Sequence, residues 1–89
     1  MSKNALIVDD SVTMRNMVKV TLNESGFEVL EASDGKETLE IIGDKDFEVI
    51  ITDINMPNMD GIALIKELRS RPEYKFTPIL VLTLSLIHI

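Results

Sequence analysis

Short apolar segments alternate with amphipathic segments along the chain, and polar or acidic residues follow most of the apolar ones. The apolar segments predict strands over residues 4–8, 27–31, 48–53 and about 78–83. The segments between them predict helices over about residues 12–24, 36–42 and 62–70. Strands that alternate with helices through short loops are typical of right-handed βαβ units. We therefore predict an α/β fold with a doubly wound parallel sheet.

Helix boundaries follow from capping residues and from the spacing of apolar side chains. Asp10 or Ser11 is the expected N-cap of the first helix, whose apolar residues recur every three or four positions. The residues that form this face are Met14, Met17, Val18, Thr21 and Leu22. Residues 32–35 are expected to form a turn that also caps the second helix. Residues 72–77 are expected to form a loop after the third helix.

The third predicted strand ends abruptly on a carboxylate. Four apolar or β-branched residues precede Asp53, and Pro57 followed by the Asp60-Gly61 pair then turns the chain toward a helix. Such a run is expected of a strand buried on both faces of a parallel sheet. In open α/β sheets, ligands bind at the carboxyl ends of the strands. Asp53 is therefore a candidate metal ligand or nucleophile, and the alternative is a solvated strand end.

The end of the chain departs from this alternation. A fourth helix is expected after Thr83, yet 8 of the 11 residues from position 79 to 89 are apolar. An overlong fourth strand is the expected local structure. A long apolar strand at a sheet edge tends to pair with another chain, so we predict a homodimer or larger oligomer that uses this strand and residues 82–89.

Composition narrows the class of protein. The 89 residues suffice for one domain, and the net charge of −6 disfavours binding to nucleic acid and suits cations or basic partners. The chain has no cysteine, which is compatible with a reducing compartment. The apolar run before Asp9 is only four residues long, too short for a signal peptide or a membrane span. A soluble, cytoplasmic protein that does not bind membranes is expected.

Acidic residues follow both the first and the third predicted strand. If these strands are neighbours, Asp9, Asp10 and Asp53 meet at one edge of the sheet, where their carboxylates repel one another unless a cation binds. A few hard oxygen ligands suit Mg²⁺ better than Ca²⁺. The backbone carbonyl of Asn55, two residues after Asp53, is a further candidate ligand. Taken singly, residues such as Asp9 and Asp10 are more often helix caps than metal ligands.

Beside a bound Mg²⁺, Asp53 could act as a nucleophile toward a phosphoryl group and form an aspartyl phosphate. Thr83, at the end of the fourth predicted strand, would place a hydroxyl near the same edge. Its alternative role is that of an ordinary β-branched strand residue.

Four segments resemble the response-regulator receiver domain, and the single-domain chemotaxis regulators in particular. They are residues 7–11 (IVDDS), 31–35 (EASDG), 52–61 (TDINMPNMDG) and 78–83 (PILVLT). The resemblance implies a flavodoxin-like strand order of 2-1-3-4-5. It implies Asp53 as the phosphoacceptor, Asp9 or Asp10 with Asp53 and the Asn55 carbonyl on Mg²⁺, and Thr83 as the switch hydroxyl. A histidine kinase would donate the phosphoryl group, and the flagellar motor switch would receive the signal. Such a domain is a signalling module rather than an enzyme.

The chain also departs from this family. Helix four, strand five with its Lys-Pro pair, and helix five have no counterpart, and Leu84 stands where the family favours a small residue. We therefore expect a truncated receiver domain over residues 1–83, with strand order 2-1-3-4, and an unrelated apolar tail over residues 84–89. Phosphorylation is expected to be impaired, and the apolar face of the first helix is expected to be partly bare.

Two other functions remain open from the residues alone. One is a structural fragment whose site is vestigial and which oligomerises through its exposed edge. The other is a phosphatase of the haloacid-dehalogenase type, which is disfavoured because Asn55 stands where that chemistry needs a second acid. An EF-hand loop is excluded because Asn58 stands where such a loop needs glycine.

Overall fold

A four-stranded parallel sheet forms the centre of the computed structural model, which describes residues 3–43, 45–53 and 59–82. The strands are β1 (Lys3–Val8), β2 (Phe27–Ala32), β3 (Val49–Asp53) and β4 (Ile79–Leu82). The helices are α1 (Val12–Glu24), α2 (Gly35–Ile41), α3 (Gly61–Arg69) and a short 3₁₀ helix (Pro72–Tyr74). Neighbouring strands follow the order β2-β1-β3-β4, which confirms the predicted sheet. No helix in the described ranges has the length and apolar character that a membrane span requires.

Strand register places the ends of β1 and β3 at the same level. Val8, the last residue of β1, is paired with Thr52 of β3 on one side and with Ala32 of β2 on the other. Asp9 therefore emerges beside Asp53, the last residue of β3. The first condition for the predicted acidic site, that β1 and β3 are neighbours, is met.

Alternate residues of the central strands pack into two apolar layers. Leu6, Val8 and Ile50 belong to a cluster on the side of α2 and α3. The helix-side and loop members of that cluster are Ile42, Phe47, Leu64, Leu68 and Tyr74. Ile51 points to the opposite face, where it lines a groove with residues of α1. Helices thus cover both faces of the sheet, as expected for a doubly wound fold.

Side-chain caps fix the start of each α-helix. Ser11 Oγ accepts the Met14 amide at 3.2 Å, Asp34 accepts the Glu37 amide at 2.8 Å, and Asp60 accepts the Ala63 amide at 2.8 Å. Each bond satisfies one of the amides that have no partner within the helix. Of the two candidates for the first cap, Ser11 is therefore the one used. The predicted turn over residues 32–35 caps α2 through Asp34.

Predicted and observed boundaries differ at a few places. β2 extends one residue further, to Ala32, and α2 begins one residue earlier, at Gly35. Part of the loop predicted over residues 72–77 is a 3₁₀ helix, and its Tyr74 is fully buried. On the predicted apolar face of α1, Met17 is 60% exposed and no residue of the helix is fully buried. The predicted extension of β4 over residues 83–89 lies outside the described residues.

Candidate functional site

Three carboxylates meet at the carboxyl edge of the sheet. Asp9 and Asp10 follow β1, Asp53 ends β3, and each offers one carboxylate oxygen that lies within 4.8 Å of the other two. Asp9 is buried, Asp53 is half-buried and Asp10 is exposed. The arrangement is therefore open to solvent on one side and fixed to the sheet on the other.

Asp9 is held by hydrogen bonds through both its backbone and its side chain. Its amide donates to the Ala32 carbonyl at 3.1 Å, and one of its carboxylate oxygens accepts the Ser11 amide at 2.8 Å. Its backbone carbonyl accepts a bond from Arg15 Nη1 at 2.6 Å. Ser11 thus orients the side chain of Asp9, while Ala32 of β2 and Arg15 of α1 hold its backbone. Asp9 therefore has a defined orientation before any ligand arrives.

The surroundings of Asp9 raise the pKa of its carboxyl above the ordinary value. Burial is the largest cause, and the carboxylates of Asp53 and Asp10 add to it. The Ser11 amide and the Arg15 guanidinium lower the pKa and offset part of the rise. A charged Asp9 is thus less favourable here than in water, and a bound cation would relieve that cost.

The donor set fits a hard divalent cation. It consists of carboxylate oxygens that come from two neighbouring strand ends, and the exposed side leaves room for water or for a phosphoryl oxygen. Mg²⁺ is commonly bound by one or two carboxylates and keeps several waters. Asp9, Asp10 and Asp53 are the residues that would hold it.

Three charged residues next to the acidic cluster, Arg15, Lys19 and Glu31, form ion pairs that were not predicted from the sequence. Arg15 Nε lies 3.4 Å from Glu31 Oε1, and Lys19 Nζ lies 3.1 Å from Glu31 Oε2. Arg15 and Lys19 are four residues apart on α1, so one face of the helix presents both to β2. That spacing was visible in the sequence, but the contact with the Asp9 carbonyl was not.

Two predicted site residues lie outside the described residues. They are Asn55, predicted to offer its backbone carbonyl to the metal, and Thr83, predicted as the switch hydroxyl. The structure places Asp9, Asp10 and Asp53 together and leaves the roles of Asn55 and Thr83 as predictions.

Fold and site together define a parallel α/β domain with an acidic cluster at the carboxyl edge of its sheet. The chain belongs to the response regulator receiver domain family, whose model matches residues 5–86. Members of this family are signalling domains that bind Mg²⁺ at an acidic site. This match confirms the resemblance to receiver domains that the four sequence segments indicated.

Chemotaxis proteins are among its relatives. Chemotaxis protein CheY1 of Helicobacter pylori is 48% identical over 80 residues, which are 88% of this chain and 64% of that protein. Chemotaxis protein CheY-3 of Vibrio cholerae is 46% identical over 79 residues, which are 88% of this chain and 61% of that protein. The chain thus spans somewhat less than two thirds of the length of these relatives.

Solved structures support the same fold. The chemotaxis response regulator CheY4 of Vibrio cholerae superposes with a TM-score of 0.85 at 46% identity, covering 91% of this chain and 68% of that one. The response regulator TrrA of Thermotoga maritima, solved in complex with Mg²⁺-BeF, has a TM-score of 0.82 at 33% identity. That match covers 91% of this chain and 69% of that one.

Proposed function

We propose that this chain accepts a phosphoryl group on Asp53 as the receiver of a two-component signalling system. The observation that carries the proposal is the convergence of Asp9, Asp10 and Asp53, whose carboxylate oxygens lie within 4.8 Å of one another. One acid of such a cluster can act as nucleophile through one carboxylate oxygen, while all three acids hold a metal ion. Asp53 is the candidate nucleophile because it ends the rigid strand β3 at the open edge of the sheet.

In the proposed reaction, a carboxylate oxygen of Asp53 attacks the phosphorus of a phosphohistidine. A phosphorus–oxygen bond forms as the phosphorus–nitrogen bond breaks, and the bonding pair returns to the imidazole. Mg²⁺ would neutralise the charge on the phosphoryl oxygens. Asp9, Asp10 and Asp53 would hold the metal, with the Asn55 carbonyl as a further ligand. Thr83 would bind the phosphoryl group as the switch hydroxyl.

The proposed partners follow from the family. CheY-like receivers interact with histidine kinases and with flagellar switch proteins, and the similarity to chemotaxis proteins supports both as partners of this chain. A histidine kinase would be the phosphodonor and a flagellar motor switch protein the target. The cytoplasmic location expected from the sequence remains a prediction.

Intact-mass spectrometry after incubation with Mg²⁺ and acetyl phosphate tests the proposal. Because phosphorylation is expected to be impaired, we expect the mass increment of one phosphoryl group to accumulate slowly, and to be lost when EDTA replaces Mg²⁺ and in the variant Asp53→Asn. Asp46→Asn is the matched control because Asp46 is an exposed carboxylate outside the cluster, and it should be modified like the unaltered chain. The same assay with an autophosphorylated chemotaxis histidine kinase tests the donor.

Two outcomes would contradict the proposal. Modification that persists in Asp53→Asn would place the acceptor elsewhere. An unmodified chain that also fails to bind Mg²⁺ in a calorimetric titration would instead support the alternative of a structural fragment with a vestigial site.

A further inference from the structure

Arg15 links the acidic cluster to the outer strand of the sheet. It lies on the first turns of α1, and its side chain is only 17% exposed. Nη1 donates to the backbone carbonyl of Asp9 at 2.6 Å, and Nε lies 3.4 Å from Glu31 Oε1 on β2. The short bond goes to the backbone of Asp9 and not to its carboxylate. This hydrogen bond therefore fixes where the acid is held, while the guanidinium acts on the Asp9 carboxylate only through its charge.

The bonded carbonyl belongs to the peptide unit between Asp9 and Asp10. A peptide unit is planar, so a donor that fixes its oxygen also fixes the direction in which the chain enters Asp10. The Asp9 amide is fixed independently by the Ala32 carbonyl at 3.1 Å. Because both the amide and the carbonyl of Asp9 are hydrogen-bonded, the short connection from β1 to α1 follows one defined path past Asp53.

Glu31 gives Arg15 a partner of opposite charge at the site. A guanidinium alone beside three carboxylates would compete with a divalent cation for them. Glu31 balances that charge and is itself contacted by Lys19 Nζ at 3.1 Å. Arginine suits this position because its planar fork offers donors in two fixed directions at once, which the single ammonium of lysine does not.

We propose that Arg15, held by Glu31, is a positioning residue that sets the geometry of the Asp9–Asp10 segment for Mg²⁺. The proposal rests on the proposed function, because it assigns a cause to the metal affinity of that site. Replacing a residue that orients a metal ligand without contacting the metal typically changes metal affinity by about 10–100-fold. Mg²⁺ also demands near-octahedral geometry, whereas Ca²⁺ accepts irregular coordination. A loosened site should therefore lose Mg²⁺ more than Ca²⁺.

Calorimetric titration of the full chain with Mg²⁺ and with Ca²⁺ tests the positioning role. We expect Arg15→Met to weaken Mg²⁺ binding about tenfold, the lower end for such residues, and to lower the ratio of Mg²⁺ to Ca²⁺ affinity. Arg15→Lys keeps one hydrogen-bond donor, so it should retain part of the Mg²⁺ affinity and part of the preference for Mg²⁺ over Ca²⁺. Lys19→Met removes only the ion pair between Lys19 and Glu31. It should change neither the Mg²⁺ affinity nor the ratio of Mg²⁺ to Ca²⁺ affinity by more than about twofold, since exposed ion pairs contribute little.

Amide hydrogen exchange in EDTA supplies a readout that needs no metal. The Ser11 amide donates to the Asp9 carboxylate at 2.8 Å, so its exchange reports whether this connection keeps its path. We expect faster exchange at Ser11 in Arg15→Met and an unchanged rate in Lys19→Met. Should Arg15→Met not fold, the comparison rests on Arg15→Lys.

Unchanged affinity, metal selectivity and Ser11 exchange in the Arg15 variants would overturn the proposal. An equal effect of Lys19→Met would do so too, because it would point to a general charge effect. A chain that binds no Mg²⁺ at all would contradict the proposed function instead, and Ser11 exchange would still decide the role of Arg15.

Discussion

Asp9 shows how a single residue can be unfavourable for stability and suited to a function. The residue is 3% exposed and its carboxylate lies beside those of Asp53 and Asp10, and both conditions disfavour the charged form. The Ser11 amide and Arg15 offset only part of that cost, so the pKa of Asp9 is raised. A group whose pKa is raised by folding stabilises the fold at low pH, and that contribution is lost as the pH rises through the folded-state pKa. At neutral pH the metal-free fold therefore carries a cost at Asp9.

Asp9→Asn should remove this cost. In EDTA at pH 7 we expect the free energy of unfolding to rise by about 0.5–2 kcal/mol, the range common for a single stabilising substitution. The gain should shrink as the pH falls and Asp9 becomes protonated in the unaltered chain. Urea unfolding at a series of pH values measures it, with Asp46→Asn as the control. A variant less stable than the unaltered chain at pH 7 would show that the Asp9 carboxylate contributes more through its hydrogen bonds than it costs.

The acidic residues of the site could be predicted because each one stands at a strand end. Position along the chain and the fold class suffice to bring Asp9, Asp10 and Asp53 to one edge. Arg15 could not be predicted in the same way. Its partners are a backbone carbonyl after β1 and a carboxylate on β2, and no spacing rule within α1 points to either.

At the scale of elements, the start of α2 depends on a close approach between two segments. A Cβ atom built on Gly35 would lie 2.8–2.9 Å from three side-chain atoms of Met59, including Met59 Cβ. Such a contact is shorter than packed atoms allow, and Met59 Cβ cannot move without its backbone. The turn residues at 32–35 explain why α2 begins there, but the need for glycine comes from Met59.

Gly35→Ala should therefore destabilise the fold, although alanine is the better helix former. We expect a loss of about 1–3 kcal/mol in the free energy of unfolding, as for other overpacked sites. Met59→Ala in the same chain should restore a large part of the loss, because it removes two of the three close atoms, Cγ and Sδ. Urea unfolding of both single variants and of the double variant gives the coupling free energy between positions 35 and 59. If the two losses simply add, the close approach is not the cause.

Hydrophobic periodicity predicted the regular elements well and their environment less well. The pattern on α1 identifies an apolar face, but it does not indicate how much of that face is covered, and Met17 proves to be 60% exposed. Tyr74 was missed as a core residue because its contacts are distant in sequence. Its ring lies 6.1 Å from that of Phe47, and its hydroxyl donates to the Lys45 carbonyl at 2.6 Å.

At the scale of the whole molecule, exposed apolar side chains on β4 are the reason to expect association. β4 is an outer strand of the described sheet, and Leu80 and Val81, which point to opposite faces, are 56% and 40% exposed. An outer strand also presents unpaired amide and carbonyl groups to a second chain. The net charge of −6 opposes the approach of two copies. Salt screens that repulsion, so association should strengthen as ionic strength rises.

We predict that the 89-residue chain sediments as a dimer or larger oligomer at high micromolar concentration. Leu80→Lys and Val81→Lys should shift it toward monomer, because charged side chains on an outer strand disfavour pairing with another strand. Both changes reduce the net negative charge, so dissociation could not be attributed to greater repulsion. Ile62→Lys is the matched control, since Ile62 is 52% exposed on α3 and far from the strand edge in sequence. A monodisperse monomer of the unaltered chain, or an equal shift in Ile62→Lys, would remove β4 as the surface of association.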